Sequence, residues 1–354
     1  MVQKHKPARA AKTLKNRKTG ELALLDIIRT RAALAGFGNS RVRLGIGDDC
    51  ALLRPRAGEE LAVTTDLSIE GRHFRLDWHS PESVGHRTLA RGLSDLAAMG
   101  AKPVAAFLSL GLPRELTVSR DGSQPWVERF LDGLLALASE HGVVLAGGDL
   151  AESPIAVADI VLTGAVPGGR ALFRSGARSG DLIYVTGSLG GAAAELAALG
   201  QSPQSFAEAT HASQTNPHLY PQPRVAQGLW LRKHKSASAA MDLSDGLSTD
   251  LAHICKESGV AAEIAEHALP LGRAATLEMA LHGGEDYELL FTAPVAAKLP
   301  RKIAGVAITP LGRIVSAKPG KASVTLLTEK GGRTMSTPLE PRGWEHFSDN
   351  PVGS

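Results

Sequence analysis

Strand-like and helix-like apolar segments follow one another along this chain without strict alternation, and they do so twice. Residues 61–66 (LAVTTD) predict a strand, and 82–99 a helix that stops at Gly100 with Pro103 beyond it. Buried strands are expected at 103–111 and 143–147, a helix at about 125–141 between them, and a further strand at 155–166. The second half opens on the strand 181–187 (DLIYVTG), followed by the glycine turn Gly187-Ser-Leu-Gly-Gly191 and an alanine-rich helix. It continues through a helix at 248–257, a strand near 260–264 and the segment GGEDYELLFT at 283–292. Regular alternation would demand a doubly wound parallel sheet. Its absence points to an α+β chain of two domains with packed sheets.

A chain of 354 residues that is 43% hydrophobic can bury two cores of ordinary domain size. No apolar run is long enough to span a bilayer, and the start lacks the apolar stretch of a secretory signal. Cys50 and Cys255 stand in neither zinc nor disulfide spacing, which fits a reducing, cytoplasmic setting, and both are expected to be structural. The net charge of +3 hides an asymmetry: residues 1–20 carry seven Lys/Arg and no acid, which leaves 32 basic and 36 acidic residues in the body. Contact with nucleic acid is one reading of that tail. It offers no aromatic stacking surface, however, and is expected to be a disordered, solvated extension. The polar stretch 201–220 reads as a loop.

Acidic residues recur where the backbone turns. Asp48 and Asp49 stand side by side in GIGDDCALL, Thr64-Thr65-Asp66 is expected to close one strand, and Gly147-Gly148-Asp149 another. Asp95 lies in a helix among small residues, and Asp242-Leu-Ser-Asp245 leads into Gly246 and a helix. Singly, each reads as a strand end, a cap or an exposed charge. Together they sit where a fold converges ligands from distant positions. Carboxylates and hydroxyls without a Cys/His cluster suit a hard cation, and Mg²⁺ bridged to phosphate suits a dispersed set best. The usual nucleotide motifs are absent: there is no GxxxxGK[ST], and GIGDDC lacks the third glycine of GxGxxG. The Gly187–Gly191 turn could present backbone N–H groups to an anion or simply allow close packing. Arg174 and Arg178 could clamp phosphate or be solvated.

Eight segments occur in one order: GIGDDCALL, TTDLSIEGRHF, LSDLAAMGAKP, LAGGD, LFRSGARSGD, MDLSDGLSTDL, GGEDYELLFT and the terminal GWEHF. In that order they resemble the thiamine-monophosphate kinase family over about residues 21 to 348. The resemblance leaves out the basic tail at 1–20, and it implies an N-terminal ATP/Mg-binding and dimerisation domain at 21–168 and a C-terminal α/β domain at 178–348. In this synthetase-like fold the N-terminal domains of a homodimer share a barrel. The implied reaction moves the γ-phosphoryl of ATP onto the phosphate of thiamine monophosphate by direct in-line transfer.

By motif, the resemblance implies Asp49, Thr64, Thr65, Asp66, Asp95, Asp149, Asp242 and Asp245 as ligands of several Mg²⁺ ions, directly or through water. It implies Gly148, Asp149, Arg174 and Ser244 for ATP, and His73, Glu285 and Trp344 for the thiamine end. No dedicated catalytic base is implied. Two alternatives stay open: another ATP-dependent synthetase of the same superfamily, and a non-catalytic nucleotide- or metal-binding subunit. A selenophosphate synthetase would want a catalytic Cys in a Gly-rich segment, and Cys50 has the wrong context.

Overall fold

The computed structural model describes residues 21–35, 39–119, 122–206, 216–317, 322–344 and 347. The basic tail and residues 207–215 of the 201–220 stretch therefore lie outside the described residues. The first half runs α1 (Glu21–Ala35), β1 (Val42–Leu44), β2 (Leu52–Leu53), β3 (Glu59–Ile69), α2 (Pro81–Ala98), β4 (Lys102–Leu112), α3 (Trp126–His141), β5 (Val144–Glu152) and β6 (Val157–Pro167). Four of these strands form one sheet in the order β3-β6-β4-β5, in which only the β4–β5 pair is parallel.

The second half runs β7 (Leu182–Thr186), α4 (Gly191–Gln201), α5 (Val225–His234), β8 (Ala239–Asp242), α6 (Leu247–Ser258), β9 (Val260–Ala265), α7 (Leu277–His282) and β10 (Leu289–Ala293). The strands β11 (Lys302–Ile303), β12 (Val306–Ser316), β13 (Val324–Lys330) and β14 (Arg333–Pro338) complete it. Its sheet has the order β14-β13-β9-β12-β7-β10-β8, with β11 beside β12. The expected mixed α/β architecture is what the chain adopts, and β1 and β2 pair as a separate two-stranded sheet.

Helix α2 organises the whole. Ser80 caps it by accepting from the Ser83 N–H at 3.2 Å, and Pro81 fits the first turn, where a missing N–H costs nothing. Two glycines let α2 and α3 cross closely: a Cβ on Gly85 would lie 1.9 Å from the Phe130 carbonyl oxygen, and one on Gly133 1.9 Å from that of Glu82. On another side Gly228 of α5 meets the Ala97 carbonyl in the same way. One apolar cluster consequently runs from Leu93, Phe130 and Leu162 through Leu231 to Leu289 and Phe291 on the second sheet. A second cluster, including Ile183, Leu251, Ile264 and Ile314, fills the other side of that sheet.

Two expectations change, and one unassigned segment is resolved. The acids of β3 and β5 lie inside strands and do not close them, because pairing continues in register to Ile69↔Val157 and Leu112↔Glu152. Residues 283–288 are irregular, and the strand begins only at Leu289. The end of the supposed polar loop is interior: His218, Leu219 and Tyr220 are all buried. Cys255 is likewise buried and its thiol is pushed up to about 12 by that burial, whereas Cys50 is exposed. Among the described residues no helix is long and apolar enough to cross a membrane.

Candidate functional site

Arg87, Arg91 and Asp95 recur every four residues and so share one face of α2. Arg87 donates from Nη2 to Glu285 Oε1 at 2.7 Å and to the His73 carbonyl at 3.2 Å. Arg91 pairs through Nη2 with Asp66 Oδ1 at 3.2 Å and donates to Ser68 Oγ at 3.3 Å. Asp95 accepts from the Thr64 hydroxyl, and one residue earlier Ser94 Oγ donates to Asp242 Oδ2 at 2.7 Å. A single helix face thus joins an acidic group (Asp66, Asp95, Asp242) to a second group built on Glu285. A small cleft lined by Ser68, His73, Arg87 and Arg91 opens beside it.

The acidic group carries more negative charge than its surroundings offset. Burial pushes the Asp66 carboxyl up to about 6, against the pull of Arg91 and with a push from Asp95. Burial and then the neighbouring Asp95 push Asp242 up to about 7, with Ser94 and Arg174 opposing. Asp95 is raised as well, again by burial first. Close by, Asp250 accepts from the Asp245 and Gly246 N–H groups at 3.2 and 3.0 Å through Oδ2. Its buried Oδ1 has no hydrogen-bond partner among the described residues. Under-compensated carboxylates, hydroxyls and an orphaned oxygen are donors of the kind a hard cation prefers. Among the described residues no three Asp, Glu, His or Cys side chains gather closely enough to hold an ion unaided. Such an arrangement suits Mg²⁺, which keeps waters and takes phosphate oxygens among its ligands.

The remaining expected residues are spread over several elements. Thr65 is on the opposite face of β3 from Thr64 and Asp66, where its hydroxyl donates to Asp159 Oδ1 at 3.0 Å. Asp49 and Asp149 are exposed; the Asp49 N–H donates to Asp48 Oδ1 and the Leu150 N–H to Asp149 Oδ1, each at 2.9 Å. Arg29 of α1 covers the Asp48–Asp49 turn, its Nη2 only 2.7 Å from where a Cβ on Gly47 would stand. Gly148 holds φ 146°, and a Cβ there would lie 1.8 Å from the Leu108 carbonyl oxygen, so no side chain fits. Arg174 offsets Asp95 and Asp242. The Ser244-Asp245 turn meets two others: the Ser244 carbonyl accepts from the Glu285 backbone N–H at 2.8 Å and the Asp245 carbonyl from the Trp344 backbone N–H at 3.1 Å.

Glu285 is held from both sides. Burial would raise its carboxyl, but Arg87 and His218 outweigh burial and hold it well below the usual carboxylate range. Its backbone is left-handed, with φ 67°, as is that of Tyr287 at 49°. The glycine turn before α4, a candidate anion site in the sequence, is already filled: Asp286 accepts from the Gly190 and Ala192 N–H groups at 2.6 and 3.2 Å. Sequence reasoning missed Arg87, Arg91, His218 and Asp250. The Arg-x₃-Arg-x₃-Asp spacing in α2 could have revealed the first two. Nothing in a polar loop pattern distinguishes His218.

The site also sets an acid limit. Burial pushes the His79 imidazole down to about 3; Arg87 and His218 add to the effect, while the Arg75 backbone and Glu285 oppose it. The neutral form is therefore the folded form. Its contribution to stability is complete above the unfolded value of about 6.5 and is lost as pH falls towards the folded one. By about pH 5 this amounts to about 2 kcal/mol, and urea titrations should show His79→Asn losing that much less stability between neutral pH and about pH 5 than the parent does. Identical losses in both proteins would exclude His79 as the source.

Models of the AIR synthase related proteins match the chain twice, by the N-terminal domain over residues 47–168 and the C-terminal domain over 178–324. The thiamine-monophosphate kinase of Salmonella typhimurium is 44% identical over 279 residues, covering 77% of this chain and 82% of its own. The crystal structure of the thiamine-monophosphate kinase from Stenotrophomonas maltophilia K279a is similar with a TM-score of 0.72 at 38% identity, over 87% of this chain and 96% of that one. AaThiL complexed with AMPPCP and TMP is similar with a TM-score of 0.67 at 31% identity, over 95% of this chain and all of the other.

Proposed function

The chain belongs to the thiamine-monophosphate kinases, within the AIR synthase related proteins, and on that premise we propose how its residues carry out the reaction. The γ-phosphoryl of ATP passes to the phosphate of thiamine monophosphate, giving thiamine diphosphate and ADP. An acceptor phosphate oxygen forms the new P–O bond, and the bond from Pγ to the bridging oxygen breaks with its electrons leaving on ADP. The observation that supports this reading best is the α2 face, which sets the acidic group and the Glu285 group side by side.

Asp66, Asp95 and Asp242, with Asp49, Asp149 and Asp245 from the neighbouring turns and the Thr64 hydroxyl, would hold the Mg²⁺ ions. Thr65, turned to the other face, is left out of that set. When bound, the ions neutralise the phosphates and bring two anionic substrates together. Gly148, Arg174 and Ser244 serve ATP, while His73, Glu285 and Trp344 serve the thiamine end. Arg91, between the two groups, offers a fixed positive charge to the phosphates. The acceptor phosphate, with a second pKa of about 6, is already mostly dianionic at neutral pH, so no side chain has to remove a proton. Positioning and charge neutralisation then carry the step. The protein given ATP, Mg²⁺ and thiamine monophosphate should form thiamine diphosphate and ADP in equal amounts. ADP formation without the acceptor would point to a sister synthetase instead, and no ADP at all to a non-catalytic subunit.

The enzyme works in the cytoplasm as a C₂ homodimer on this reading. The open face of the first sheet carries Leu61, Val63 and Leu67, which are 42, 65 and 45% exposed, with Phe107 and Val161 half-buried beside them. Strand β3 supplies most of this surface, whereas residues 103–111 and 143–147 are mostly buried. Apolar patches of this kind mark interfaces. Light scattering at micromolar concentration should return twice the 37.1 kDa chain mass, and Val63→Glu should shift it towards the monomer. A sharp monomer mass for the unaltered chain would exclude the dimer.

A further inference from the structure

Behind Glu285 stands a buried chain of hydrogen bonds that no step above uses. His218 Nδ1 lies 3.1 Å from Glu285 Oε2, and His218 Nε2 lies 3.0 Å from His79 Nε2. His79 Nδ1 in turn lies 3.2 Å from the Arg75 N–H. The carboxylate sets the polarity of the chain. Since Glu285 can only accept, His218 carries its hydrogen on Nδ1 and presents a bare Nε2. His79 must then donate from Nε2 and accept the Arg75 N–H at Nδ1. Arg87 Nη1, 3.1 Å from the same His218 Nδ1, directs a hydrogen at the His218 carbonyl instead.

Every part of this chain is anchored. Both imidazoles are buried, at 4% and 2% exposure. The His218 backbone is tied to α4, where Glu195 Oε2 accepts its N–H at 2.7 Å and Glu195 Oε1 accepts from Asn216 Nδ2 at 2.7 Å. The N-terminus of α4 is capped by Asp286, the residue next to Glu285. Helix α4 therefore holds the Glu285 loop at its first turn and the His218 backbone one turn further on. With Arg87 on Oε1 and His218 on Oε2, the carboxylate plane cannot swing, although the Glu285 side chain remains 26% exposed.

We propose that His218 is a positioning residue for acceptor recognition: it fixes the Glu285 carboxylate in the orientation that receives the thiamine end. This rests on the reading above that Glu285 touches that end. A hydrogen bond to a charged group supports about a tenfold effect. His218→Leu keeps the bulk and removes the donor, and it should raise KM for thiamine monophosphate about tenfold while KM for ATP moves less than about twofold. His218→Asn, whose Nδ2–H stands close to where Nδ1–H stood, should restore most of the loss. The leucine and asparagine side chains of these two variants are alike in size and shape. A purely structural role therefore predicts equal damage from both and parallel changes in both KM values; either result overturns the proposal.

Glu285→Gln separates the two levels. If it leaves KM for thiamine monophosphate unchanged, the reading of Glu285 fails and the proposal with it. If it raises that KM while folded His218→Leu does not, the proposal alone fails. In support, the double variant His218→Leu/Glu285→Gln should be no worse than Glu285→Gln. Should His218→Leu fail to fold, Glu195→Gln, which loosens the His218 backbone, carries the same comparison and should raise the same KM.

Discussion

Asp66→Asn should lower turnover by at least about 10²–10³-fold while the protein stays folded, the scale seen when one pre-placed electrostatic group is removed from a reaction centre. The reasoning begins with the charge. Asp66 is only 19% exposed, its carboxyl is pushed up to about 6, and it pairs with Arg91 at 3.2 Å. A carboxyl raised in the folded state stabilises most where it is protonated, below its unfolded value, and loses that contribution as pH rises through the folded value. At pH near 7.5 the ionised group therefore costs the metal-free protein about 3 kcal/mol. The neutral amide removes that cost, so the variant should melt no lower than the parent at that pH. A structural acid behaves in the opposite way: the variant would lose stability, and activity would fall only in proportion to folded protein. Normal turnover in a folded variant would sink the role assigned to Asp66. Stability and activity moving in opposite directions is the signature of a group whose charge serves a ligand and not the fold.

The acids of this site were legible in the sequence because each interrupts a pattern. Asp66, Asp95, Asp149 and Asp242 stand among small or apolar residues with few local cations, and a surface acid seldom does. Their setting was less legible. Asp66 and Asp149 looked like strand ends because threonine and glycine weaken the apolar run, whereas cross-strand pairing carries both strands further. Thr65 looked equivalent to Thr64, and the two-residue period of a strand puts them on opposite faces. Arg87 and Arg91 were passed over because an arginine in a helix usually faces solvent. Here α2 is buried almost all round, sandwiched between the halves, so its charged residues face the site. His218 was beyond reach for a different reason. A short polar segment reads as a loop until its tertiary partners, Glu195 and Glu285, are known. The periodicity of a chain reports local burial, and a site assembled across two sheets depends on contacts between residues about 130 to 200 positions apart.

Thiamine itself should be turned over far more slowly than thiamine monophosphate. If the acidic group and Arg91 hold the acceptor through its phosphate, unphosphorylated thiamine lacks that anchor and leaves the group's ligands unmatched. A site built around a polar group rejects an analogue lacking it by as much as about 10⁴-fold. The ring end contributes less. Trp344 is half-buried and fixed by its N–H to the Asp245 carbonyl, and Gly343 before it packs so closely that a Cβ would lie 2.0 Å from the same oxygen. The Trp344 backbone is therefore placed beside the turn that also receives Glu285. A cation–π contact with a thiazolium is worth about 0.5–2 kcal/mol. Trp344→Ala should accordingly weaken thiamine monophosphate binding about 2- to 30-fold and leave ATP binding nearly unchanged. Initial rates with the two acceptors, and calorimetric titration of each substrate into the variant, test both halves of the argument. Comparable turnover of thiamine and its monophosphate would mean that the phosphate is not the anchor. A variant that lost ATP affinity instead would put the indole at the other substrate.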